Sequence, residues 1–95
     1  MGMEYRIDFT PTPTTVIDRV LRLSPYFIQT IELNGRTNYE YRLPNNTASM
    51  PNALASTEPY GIYFCDFGSA GDIMVGVAQN IHKHIATPNI SDLEE

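Results

Sequence analysis

Residues 60–72 read Tyr-Gly-Ile-Tyr-Phe-Cys-Asp-Phe-Gly-Ser-Ala-Gly-Asp, an almost unbroken apolar run that ends in a Gly/Ser-rich turn. A run apolar on both faces reads as a central strand rather than an edge strand. A helical pattern begins at Ile73. The turn between them sets backbone N–H groups at a helix start, where an anion can be held. A chain containing this unit has to be built as strands covered by helices.

The rest of the chain supplies the other parts. Glu4-Tyr5-Arg6-Ile7-Asp8-Phe9 alternates strictly, which predicts a half-buried strand. Thr12 is the expected N-cap of a first helix with Pro13 at its first position. Val16, Ile17, Val20 and Leu21, extended to Leu23, form the apolar stripe of that helix, and Ser24-Pro25 stops it. A hairpin follows around Asn34-Gly35. A two-residue turn would put Ile31 and Leu33 on the face opposite Tyr39, Tyr41 and Leu43. An odd loop with Gly35 left-handed in a bulge unites Phe27, Ile31, Tyr39, Tyr41 and Leu43, and that register is the expectation.

Pro44–Pro59 is small, polar and without a period, so it is expected as a long loop, with Met50–Ala55 able to form one helical turn. The second helix opens at Ser69-Ala70-Gly71-Asp72, a capping-box-like pattern, and buries Ile73, Met74, Val77, Ala78, Ile81 and Ile85. Thr87-Pro88 ends it, and residues 88–95 read as a frayed acidic tail. The expected fold is therefore one α+β domain over residues 1–95. It is a two-layer sandwich with a four-stranded mixed or antiparallel sheet, two helices on one face and the order β-α-β-β-β-α. The first strand–helix–strand connection is expected to be right-handed.

Charge and composition narrow the function. Eleven acidic residues face six basic ones, for a net charge of −5. The basic residues are scattered, whereas a nucleic-acid surface needs them clustered. No nucleic acid and no anionic membrane is expected as a partner. The single cysteine, Cys65, excludes an intramolecular disulfide framework. Met1–Arg6 lacks a basic segment leading into an apolar core, so no signal peptide is expected, and a cytoplasmic location is the default.

Chemistry-bearing residues are few. Gly68, Ser69, Gly71 and Asp72 are candidate anion ligands at the helix start, with Asp66 at the carboxyl end of the strand, where sites gather in α/β proteins. The turn matches neither a P-loop nor a dinucleotide fingerprint. The competing reading is a tight turn with a capped helix. Cys65 sits within the most apolar strand, where burial makes a thiol inert, so it is expected to be a core residue rather than a nucleophile. His82 and His84 are two apart on a helix, do not share a face and should not chelate zinc.

Tyr39, Tyr41, Tyr63 and Phe64 are candidate interface residues, because two helices cover one face of a sheet and the other face should present an aromatic patch. The expected function is that of a small acidic binding protein without catalytic residues, metal or cofactor. It would act on a protein partner or on a second copy of itself. The alternative is a small-ligand or catalytic domain using the Gly68–Asp72 turn and the 44–59 loop.

Overall fold

The computed structural model describes residues 3–93. Strand β1 (Met3–Asp8) leads into helix α1 (Thr14–Leu21). Strands β2 (Phe27–Leu33), β3 (Arg36–Tyr41), β4 (Ala53–Glu58) and β5 (Gly61–Asp66) follow, then helix α2 (Gly71–His84) and strand β6 (Asn89–Asp92). They form a six-stranded sheet in the order β2-β3-β4-β5-β1-β6. Every neighbouring pair is antiparallel. The two helices touch one another and bury Ile17, Val20 and Leu21 of α1 and Ile73, Val77 and Ile81 of α2 in one core.

The register explains the core. Ile7 lies opposite Ile62, Tyr5 opposite Phe64, Phe64 opposite Ala55, Ala55 opposite Tyr39, and Tyr41 opposite Ala53. Residues directly opposite share a sheet face, so these side chains form one continuous helix-side layer. Large and small alternate across it: Tyr39 and Phe64 close over Ala55, and Tyr41 over Ala53. The Tyr41 hydroxyl donates to the Leu21 carbonyl at 2.7 Å and fastens the end of α1 to the sheet. Gly61 lies where β5 passes close to β1. Its φ is +146°, and a Cβ there would stand 2.3 Å from the Ile7 carbonyl oxygen, so no side chain fits.

The α+β class, one sheet with two helices, agrees with expectation; the sheet is larger, and the order runs β-α-β-β-β-β-α-β rather than ending on the second helix. The sheet has six strands rather than four, because two stretches expected as loop and tail are strands. The 44–59 loop shrinks to residues 44–52. Ala53–Glu58 is a central strand that carries little β propensity of its own, and pairing on both sides imposes it. Asn89–Asp92 adds an edge strand to β1 where a frayed tail was expected; Glu94 and Glu95 of that tail lie outside the described residues. The connection through α1 joins β1 to β2 on opposite sides of the sheet, so it makes no parallel pair.

The hairpin corrects the odd-loop register. Leu33 pairs with Arg36 across a two-residue turn, with Asn34 at φ +54° and Gly35 at φ +75°, the left-handed pair that a type I′ turn requires. A bulge between Phe27 and Gln29 then brings Phe27 back to Tyr41. Phe27, Tyr39 and Tyr41 share a face as expected, through the bulge rather than the turn. Ile31 and Leu33 go to the opposite face. The first helix starts at Thr14 with Pro13 as its cap residue and no side-chain cap, one residue later than the Thr12 reading.

Candidate functional site

The helices leave two surfaces of the sheet uncovered. The first is the entire face opposite them. Its middle carries Ile31, Asn38, Ser56, Tyr63 and Arg6 in one row and Gln29, Glu40, Leu54, Cys65 and Glu4 in the next. The expected aromatic patch is absent among the described residues. Tyr63 is the aromatic side chain of these rows, and its hydroxyl donates to Glu4 at 2.6 Å. Burial first, and this bond second, raise the Tyr63 phenol above its ordinary value. Arg6 pairs with Asp8 at 2.7 Å, Arg42 with Glu40 at 2.7 Å, and Arg36 with Glu58. The face is an apolar centre of Leu54, Tyr63 and Cys65 framed by ion pairs, with Ile31 apart from it on the edge strand. Glu40 is 5% exposed and Ser56 3%, so part of this polar frame is itself packed.

The second surface is a cleft on the helix side, at the corner beyond α1. It is about 460 Å³ and is lined by Thr14, Thr15, Asp18 and Arg22 from α1 and by Thr30, Glu32, Thr37, Tyr39 and Thr57 from the sheet. Five of the nine are threonines, which furnish hydroxyl donors and acceptors. Tyr39 donates to Asp18 Oδ1 at 2.7 Å, and Arg22 Nε donates to Asp18 Oδ2 at 3.0 Å. These bonds, the Tyr39 bond foremost, hold the Asp18 carboxyl below its ordinary pKa. Burial and the Asp18 carboxylate together push the Tyr39 phenol upward. Thr37 Oγ1 donates to Glu32 at 2.6 Å. A third hollow, about 330 Å³ and almost wholly apolar, lies between α2 and β6, lined by Met74, Val75, Ala78, His82 and Ile90 among others.

The residues singled out in the sequence fall differently. Asp66 Oδ1 accepts from the Gly68 amide at 2.7 Å and the Ala70 amide at 3.3 Å. The carboxylate thus ties the strand-to-helix turn to itself just ahead of α2, without capping the first-turn amides of the helix. Gly68 has φ +149° and Ser69 +58°, and Gly68 also accepts through its carbonyl from Asn52 Nδ2 at 3.0 Å. Gly71 and Asp72 are exposed on the first turn of α2, where no side-chain cap forms at Ala70.

Comparison with protein-family models, with curated proteins and with solved structures finds no match to this chain.

Of the four candidate interface residues, Tyr39, Tyr41 and Phe64 are at most 3% exposed and lie on the helix side of the sheet, away from the uncovered face. The cause is the hairpin register and the strict alternation of β5, which sends residues 62 and 64 inward and 63 and 65 outward. Tyr63 is on the uncovered face. Cys65, expected in the core, lies beside it and is half-buried. His82 Nδ1 lies 3.0 Å from Thr87 Oγ1. No spacing in the sequence marks the cleft. Its signal in the sequence is the threonine at each of positions 14, 15, 30, 37 and 57, visible as a cluster only once β4 is placed.

Proposed function

We propose that this chain is a small acidic cytoplasmic interaction protein, non-catalytic, that meets a protein partner or a second copy of itself through the uncovered face of its sheet. The observation supporting this is the make-up of that face: Leu54, Tyr63 and Cys65 are partly exposed at its centre, on the adjacent strands β4 and β5, within a frame of Arg–carboxylate pairs. An apolar centre with a polar rim is the anatomy of a protein interface. The paired rim charges resist a wrong partner, which would have to strip each ion pair of water without replacing it. Antiparallel sheets also leave one face to solvent without any partner, so the reading stands on the apolar centre rather than on the openness of the face. Among the described residues no helix is long and apolar enough to cross a membrane.

The test is a Tyr63→Asp, Leu54→Asp pair of variants in size-exclusion chromatography with light scattering, and in pull-down from the source cell. Loss of a dimer or of a captured protein, with the fold intact by circular dichroism, supports the reading. Unchanged association in both variants refutes it.

A further inference from the structure

The two edges of the sheet are not alike. Edge strand β6 is four residues long and is preceded by Pro88; shortness and proline are the ordinary means of blunting an edge. Edge strand β2 has seven residues, Phe-Ile-Gln-Thr-Ile-Glu-Leu, with neither lysine nor proline. Ile28 is 52% and Leu33 46% exposed on it. The bulge at Phe27–Gln29 interrupts its first turn of pleat, and from Gln29 to Leu33 the pairing with β3 is regular.

The register shows which backbone groups of β2 are unused by β3. Across the two-residue turn, Leu33 and Arg36 form the hydrogen-bonded pair, and pairs alternate from there. Ile31 and Gln29 therefore point their N–H and C=O groups inward to β3. Thr30 and Glu32 point theirs outward, away from the sheet. The side chains of the same two residues line the threonine-rich cleft. One strand thus offers an unfilled ladder along its edge and the wall of a cleft beside it, with α1 as the opposite wall.

We propose that the β2 edge and this cleft form a strand-addition site for an extended peptide segment bearing a basic side chain. The segment pairs its backbone with Thr30 and Glu32, and its alternate side chains enter the cleft against Thr14, Thr15 and Asp18. Main-chain pairing gives such sites affinity and the adjacent pocket gives them specificity. The charge of the incoming residue follows from the cleft. Asp18 already has Arg22 as its ion-pair partner, while Glu32 makes no ion pair among the described residues and is held by the Thr37 hydroxyl alone. A lysine or arginine opposite Glu32 completes that pair, and an acidic residue there is repelled by two carboxylates in a protein of net charge −5. This site is separate from the uncovered face and does not depend on it.

The test is an NMR titration of the 15N-labelled protein with an acetylated heptapeptide of alternating threonine and valine carrying a central arginine. The comparison peptide has glutamate at the centre. The expected result is shifts confined to the amides of residues 28–33 and 14–22, with the arginine peptide binding about tenfold or more tightly than the glutamate one. Glu32→Gln removes that preference. Thr30→Pro deletes one outward N–H that the fold does not use and weakens both peptides; proline is tolerated at such edge positions. Glu32 is exposed, so its variant reads the site even if the proline variant unfolds. Absence of shifts at about 1 mM peptide, shifts spread over the acidic surface, or equal binding of the two peptides overturns the proposal. So does a peptide-free homodimer paired through β2, since the edge then belongs to a second copy.

Discussion

Tyr39 and Asp18 show how one contact can set both walls of a cleft. The tyrosine leaves the sheet with its ring in the core, and its hydroxyl emerges to hold an α1 carboxylate at 2.7 Å. The pH dependence has a definite sign. The Asp18 carboxyl is depressed in the folded state, chiefly by Tyr39 and then by Arg22, with desolvation opposing them. A depressed carboxyl stabilises the fold above its unfolded pKa of about 3.9, and that contribution is lost as pH falls through the lower folded value. The phenol runs the other way. Its folded pKa is raised, so its contribution is intact below about pH 10 and is lost as pH climbs through the folded value. In Tyr39→Phe both limbs should flatten. Urea unfolding of the variant at pH 7 should give a lower midpoint than wild type, with the gap narrowing once the pH is taken below the unfolded carboxyl value of about 3.9. An equal gap at both pH values would show that the hydroxyl acts by packing alone.

Among the helices and strands, strong hydrophobic periodicity is legible in the sequence and weak periodicity is not. The stripes of both helices and the alternation of β1 predicted their buried faces, because each element had enough large apolar residues to reveal its period. Strand β4 was invisible because its core-facing residues are alanines: Ala53 and Ala55 are wholly buried yet carry no hydrophobic signature. They are small because Tyr39, Tyr41 and Phe64 fill the space around them. The hairpin failed for the opposite reason. The apolar pattern was clear, but the bulge at Phe27–Gln29 shifts its phase, and nothing in Phe-Ile-Gln marks a bulge. Asp66 folds back onto its own turn, accepting from the Gly68 and Ala70 amides, a bond whose geometry no spacing rule supplies. Ala55 offers the sharpest check of this packing. Ala55→Leu inserts three carbons between Tyr39 and Phe64 and should cost about 1–3 kcal/mol, read as a lower urea midpoint with unchanged slope. A neutral outcome would mean that the layer has slack beside Phe64.

The whole molecule is ordered by a pairing that skips most of the chain. β1 is made first in sequence, yet its partners are β5 and β6: Met3 meets Asp66, Asp8 meets Gly61, and Tyr5 meets Asp92. The β2–β3 hairpin, by contrast, closes over two residues. Loop closure has to precede the non-local contacts that reward it, so the hairpin, and β4 laid against it, should form before β1 is captured. That order predicts how two substitutions divide between the arms of a chevron plot. Gly35→Ala meets no neighbour within 4 Å but keeps φ +75°, and should cost about 1 kcal/mol through the backbone alone. That loss should appear mainly as slower folding. Ile7→Val opens a small void between β1 and β5 and should cost about 0.5–1.5 kcal/mol, appearing mainly as faster unfolding. A folding rate sensitive to Ile7 and indifferent to Gly35 would place β1 in the nucleus. The sheet would then have to grow outward from its centre, with the β2 edge and its threonine-lined cleft assembled last.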